Sequence, residues 1–219
     1  MQYIFFDTNT LSEEMVKKYY PMLTEHKRKK IADEPDPHAR AVYFCSEICA
    51  RICLSREFEA PEFSFSLLIN PNGASAVSNF TSSLCIVNDG DYIACAVDKH
   101  SCGVGMCRID SFEFTEAQSI CSDRELRDIF SYSVYSFADI VNRKNCDESA
   151  VCERFALYKA LKDVYFRASG RAVKSNFKYA EFYVENGEIV CSDKYFTVNV
   201  HEYHKNSGYV FCVLTGRTK

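Results

Sequence analysis

The densest cluster of reactive side chains is His26-Lys27-Arg28-Lys29-Lys30, five basic or potentially basic residues in a row, closed by the breaker-rich Asp33-Glu34-Pro35-Asp36-Pro37. Such a run either binds an anion or forms a solvated basic loop, and both readings stay open. Cys45, Cys49 and Cys53 fall at i, i+4 and i+8, on one helical face. That spacing could hold a soft metal. No Cys-x-x-Cys pair occurs anywhere, however, and a free cysteine packs as a small apolar residue, so core packing is the expectation. His201 and His204 sit at strand spacing rather than helical ligand spacing, which suggests a surface role. Gly103-x-Gly105 lacks the third glycine and the following helix of a dinucleotide fingerprint. Phe130, Tyr132, Tyr135 and Phe137 form an aromatic cluster, read as core or as an exposed docking platform. Asn79-Phe80-Thr81 matches a glycosylation acceptor, which has no meaning in a cytoplasmic protein.

The elements that must position these residues follow from local pattern. Residues 2 to 7 read as a strand, and Ser12-Glu13-Glu14 as the capped start of a helix near 12 to 20. Val42, Cys45, Cys49, Ile52 and Cys53 recur at three and four, which predicts a helix from His38 to about Arg56. Strands are expected over 63 to 69, 84 to 87, 92 to 97 and 104 to 109, with Asn88-Asp89-Gly90-Asp91 as a hairpin turn. Helices are expected near 122 to 142 and 147 to 169, the second stopped by Gly170. Strands near 178 to 184, 189 to 191, 195 to 203 and 208 to 214 close the chain, with a turn at Asn186-Gly187. Helices followed by a meander, twice over, define an α+β protein with a suggestion of duplication.

Composition sets the class. A hydrophobic fraction of 47% with 26% charged residues is that of a folded globular chain. The net charge of -4 and pI near 5.8 give no whole-protein field for nucleic acid or an anionic membrane, so neither is expected as a partner. The start Met1-Gln2-Tyr3-Ile4-Phe5-Phe6-Asp7 lacks a basic signal-peptide opening, and no apolar run reaches the length of a membrane span. A cytoplasmic protein whose 12 cysteines are free thiols is the expectation.

Three segments then carry a family likeness. Gly73 is followed by Asn79-Phe80-Thr81-Ser82-Ser83; Ala94-Cys95-Ala96-Val97 by Gly103-Val104-Gly105-Met106-Cys107; and Lys159-Ala160-Leu161-Lys162-Asp163-Val164 runs on to Gly170. In order and separation these resemble the Gly-Lys-Pro and Asn-x-Ser-His-Ser, Gly-[Ile/Val]-Asp-x-Glu and Trp-x-x-Lys-Glu-Ala motifs of the surfactin-type 4'-phosphopantetheinyl transferases. Leu11-Ser12, residues 27 to 30, Asp36 to Arg40 and Gly208 to Val213 extend the similarity over nearly the whole chain. The resemblance implies a pseudo-duplicated fold, helices packed on a small antiparallel meander in each half, divided here at 1–111 and 112–219. It also implies a monomer that takes coenzyme A as cofactor, with magnesium, and an acyl or peptidyl carrier protein or its synthase as partner.

The family reaction moves phosphopantetheine from coenzyme A to a carrier serine, which requires neutralising a pyrophosphate and removing a hydroxyl proton. Carboxylates two apart on a strand can aim at one magnesium ion. The resemblance places Gly105 and Cys107 at those acidic positions, and neither is a hard oxygen ligand. It leaves Asp163 as the metal ligand and Asp163 with Lys162 as the catalytic residues, with Asp110 as a substitute carboxylate only if a bulge redirects it. Ala74 stands for a family lysine and Ser82 for a family histidine. Lys27, Lys30, Arg40, Ser82 and Arg167 fall at the coenzyme-binding positions. The expected protein is therefore transferase-like with impaired catalysis, the alternative being a pseudoenzyme that serves as a carrier or synthase scaffold.

Overall fold

The computed structural model describes residues 1–69, 74–77, 82–131, 138, 145–146, 148–170, 177–204 and 206–217, with backbone alone at 68–69, 74–77 and 145–146. Gly73, Asn79-Phe80-Thr81, Tyr132, Tyr135 and Phe137 lie outside the described residues, as does most of the helix expected beyond residue 131. The chain forms two compact units, Met1–Cys102 and Gly103–Lys219.

In the first unit, β1 (Gln2–Asp7) leads to α1 (Glu13–Tyr19), α2 (Glu25–Asp33) and α3 (Pro37–Phe58). Each helix starts on a side-chain cap. Ser12 Oγ accepts from Met15 N–H at 3.2 Å, and Thr24 Oγ1 from Lys27 N–H at 3.4 Å. Asp36 accepts from the N–H groups of His38 and Ala39, while Pro37 has no N–H to leave unpaired. The basic run, for which a solvated loop is one of the two readings, is thus the body of α2, because the cap at Thr24 lies upstream of it and charged residues tolerate an exposed helix. A sheet in the order β1-β5-β4-β3-β2 follows, from β2 (Leu67–Ile69), β3 (Ala74–Val77), β4 (Ser83–Asp89) and β5 (Tyr92–Asp98). All four pairings are antiparallel. The β4–β5 hairpin pairs Asp89 with Tyr92 across a turn where Gly90 takes φ 52°. Ile93, Cys95 and Val97, two apart on β5, join Cys49, Cys53 and Leu54 of α3 in the core.

The second unit takes up β6 (Cys102–Arg108), β7 (Phe112–Glu113), α4 (Phe114–Ile120), α5 (Asp123–Phe130), β8 (Asn145–Cys146) and α6 (Ser149–Ser169). It ends with β9 (Phe182–Glu185), β10 (Glu188–Cys191), β11 (Phe196–His204) and β12 (Tyr209–Gly216). β11, β12 and β6 form a three-stranded sheet, and Ile109 N–H donates to the Gly208 carbonyl where β6 ends and β12 begins. Because β6 bonds into this sheet, the division falls at 102/103 rather than at 111/112. Asn186 and Gly187, both at positive φ, turn β9 into β10 as a two-residue hairpin requires. Gly170 at φ 67° ends α6. The core of this unit joins Phe112, Phe155, Leu157 and Leu161 to Val210, Cys212 and Leu214. α4 was not anticipated. Helices packed on small antiparallel sheets make the protein α+β, and among the described residues no helix is long and apolar enough to cross a membrane.

Candidate functional site

The strand carrying Gly103, Gly105 and Cys107 lies directly against α6. A Cβ on Gly103 would stand 2.5 Å from the Val164 carbonyl oxygen, and one on Gly105 would press into the Ala160 carbonyl oxygen more closely still. Ala160, Val164 and Ala168, spaced at four, supply the small flat face that lets the two backbones meet. Glycine at 105 is therefore a packing requirement. A carboxylate there has nowhere to go.

The two residues expected to carry catalysis part company on α6. Lys162 is 1% exposed; its Nζ lies 2.8 Å from Glu125 Oε2 and donates to the Ala180 carbonyl at 2.5 Å. Glu125 is wholly buried, accepting also from Phe182 N–H through Oε1 and from Ser122 N–H through Oε2. Ser122 and Glu125 form a capping box at the start of α5, so this ion pair ties α5, α6 and β9 together. Lys162 is structural in this setting. Asp163 faces outward, half-buried, and accepts from Arg167 Nε at 2.7 Å one turn along. Asp163 and Arg167 are thus brought together, but as each other's partner.

Just past the end of β6 lies a polar cleft of about 330 Å³ whose lining includes Arg108, Asp110, Glu113, Glu116 and Lys159. Lys159 Nζ sits 2.8 Å from Glu116 Oε1, and Arg108 Nε lies 3.5 Å from Asp110 Oδ1. Asp110, the candidate substitute acid, is outside the regular strand and opens into this cleft, whereas Asp163 is not part of its lining. The cleft can receive a small ionic group by exchanging its own ion pairs. Magnesium does not fit. Among the described residues no three acids, histidines or cysteines converge on one point, and Gly105 and Cys107 offer no oxygen.

The basic residues of the first unit divide in the same way. Lys27 is held by Glu47 Oε1 at 2.5 Å, and Arg51 reaches the same oxygen through Nε at 2.8 Å and Nη2 at 2.7 Å. Burial lowers the Lys27 pKa, against the pull of Glu47. Glu47 is fully buried and its Oε2 has no hydrogen-bond partner among the described residues. Lys30 places its ammonium 4.5 Å from the centroid of the Tyr43 ring, and Arg40 donates twice to the Glu34 carbonyl. Both remain exposed, with donors to spare for a phosphate, whereas Lys27 is largely covered and committed to Glu47. Ser82 Oγ is buried with no partner among the described residues.

All eleven cysteines with described side chains are free, and only Cys107 is not fully buried. Burial pushes the Cys45 thiol up to about 11 and, with further help from the neighbouring Cys53 and Cys45 thiols, raises Cys49 further. Neutral thiols on α3 pack as core rather than bind soft metal. His201 is exposed; His204, half-buried, lies 3.2 Å from Glu202 on the same strand. No family model and no curated protein matches this chain. Sequence reasoning missed Glu47, Glu116 and Glu125. Only Glu125 had a local signal, the Ser122-Asp123-Arg124-Glu125 capping pattern.

Proposed function

We propose that this chain is a phosphopantetheinyl transferase-like protein that no longer performs the transfer and serves as a binding or scaffold subunit for a carrier protein or its synthase. The collinear motifs support the likeness, and a long helix packed on an antiparallel sheet in each unit accords with a pseudo-duplicated fold. One observation carries the loss of catalysis. At Gly105, where the likeness calls for a magnesium ligand, the strand backbone touches α6 and excludes any side chain. The remaining acid, Asp163, is neutralised by Arg167. The positions that the likeness assigns to the reaction, 105, 107 and 163, therefore offer neither a metal ligand for the pyrophosphate nor an unpaired carboxylate for the serine proton.

The test uses fluorescent coenzyme A, magnesium and a panel of acyl and peptidyl carrier domains. No domain should be labelled, while at least one should bind by calorimetry with an affinity unchanged by omitting magnesium or replacing its acceptor serine with alanine. Stoichiometric labelling, or magnesium-dependent binding of coenzyme A in the micromolar range, overturns the reading. A slow residual transferase is the second reading, favoured by the exposed donors of Lys30 and Arg40, which suit coenzyme phosphates. It predicts weak labelling that Asp163→Asn abolishes.

A further inference from the structure

We infer that the first unit binds a linear monocarboxylate of about six to eight carbons, tail inward, in the chamber between β1, the start of α1 and α3. The inference is independent of the transferase-like reading. The chamber has a volume of about 190 Å³ and is walled by Ile4, Phe6, Leu11, Met15 and Ile48, with the exposed Arg56 also in its lining. Its inner wall is closed: Ile48, Cys45 and Cys49 are 2%, 2% and 4% exposed. Met15 and Leu11 stand half-exposed at the rim, so the space opens to solvent. The two thiols are kept neutral by burial, which leaves the interior without a charge.

Two features select the occupant. Arg56 is exposed and engages no partner among the described residues, so the lining offers one unneutralised cation beside an apolar interior. A carboxylate with an alkyl tail supplies both complements. Size sets the tail: at about 30 Å³ for each water-sized group, the chamber holds roughly six carbons. A second protein copy is the poorer occupant. Ten residues line the chamber, against roughly 20 to 30 per side in a stable protein interface.

Calorimetric titration of the full chain with butanoate, hexanoate, octanoate and octanol tests this. Affinity should rise about fourfold for each added methylene and level off near octanoate. Arg56→Gln should weaken octanoate about threefold and leave octanol unchanged, as an exposed charge pair would. Ile48→Trp should fill the chamber and remove binding of both; Met15→Trp, at the rim, does the same without touching the inner wall if the first variant fails to fold. The proposal is overturned by absence of saturable octanoate binding at millimolar concentration, by equal binding of octanol and octanoate, or by a dimer that buries Arg56 and excludes every ligand.

Discussion

The two long helices meet their sheets by opposite means. α3 rests on β5 through side chains, with Cys49 and Cys53 against Ile93, Cys95 and Val97, whereas α6 rests on β6 through backbone at Gly103 and Gly105. Each helix also buries one carboxylate contact. Glu47 loads a single oxygen with Lys27 and Arg51 and leaves the other unpartnered among the described residues; Glu125 uses both oxygens and holds Lys162 inside the core. Side chains and a half-used acid can readjust. A backbone seam with a closed ion pair cannot, so the second unit should tolerate far less change along its helix.

The sharpest attack on this contrast is Gly105→Asp, which forces a charged side chain into the Ala160 carbonyl. It should cost at least about 4 kcal/mol, and urea unfolding measures it. A loss below about 1 kcal/mol would mean that the strand can lift away from α6, and it would also remove the argument against a metal there. Next comes Lys162→Met, which strands Glu125 as a buried anion with only backbone donors. The expected loss is about 3 to 5 kcal/mol, recovered in part by Glu125→Gln in the same chain. Glu47→Gln should cost less, about 2 kcal/mol, because Arg51 keeps the Glu62 and Phe65 carbonyls and Lys27 is already partly exposed. If Glu47→Gln proves as damaging as Lys162→Met, the distinction between an open and a closed network fails.

Much of the fold was legible because its signals are local. Ser12 before two glutamates, Gly90 in its turn, Asn186-Gly187 and the stop at Gly170 each impose their element without help from distant residues. The boundary was not legible, since the residues of β6 alternate in the same way whichever sheet they join. A solvated loop stayed open as a reading of the basic run because its composition outweighed the cap at Thr24, which lies just upstream of it. The candidate site was harder still. Lys162 looked like a site residue because it stands beside Asp163, yet its partner Glu125 is remote in sequence and only the fold brings them together. Gly105 read as a lost ligand; the packing reason for glycine at 105 depends on Ala160, which no pattern on β6 reveals.

The smallest expected effect asks whether α6 also carries an open network. Arg154 Nε lies 2.5 Å from Asp128 Oδ2, and Tyr158 OH donates to the same oxygen at 2.8 Å. Asp128 remains partly exposed, unlike Glu125. On β11, His201 is exposed as a residue, yet its ring is partly desolvated by its neighbours; that desolvation and then the Arg154 cation hold its pKa below the usual 6.5, against the pull of Glu202. The unfolded chain then binds the proton more readily, so stability falls as pH drops through the window below 6.5. Thermal melts at pH 7 and pH 5.5 should show a modest loss in the native sequence that shrinks in His201→Gln. Replacing Arg154 by Met should shrink the same loss, because the neighbouring cation is part of its cause, and an unchanged pH slope in that variant would leave burial as the whole explanation.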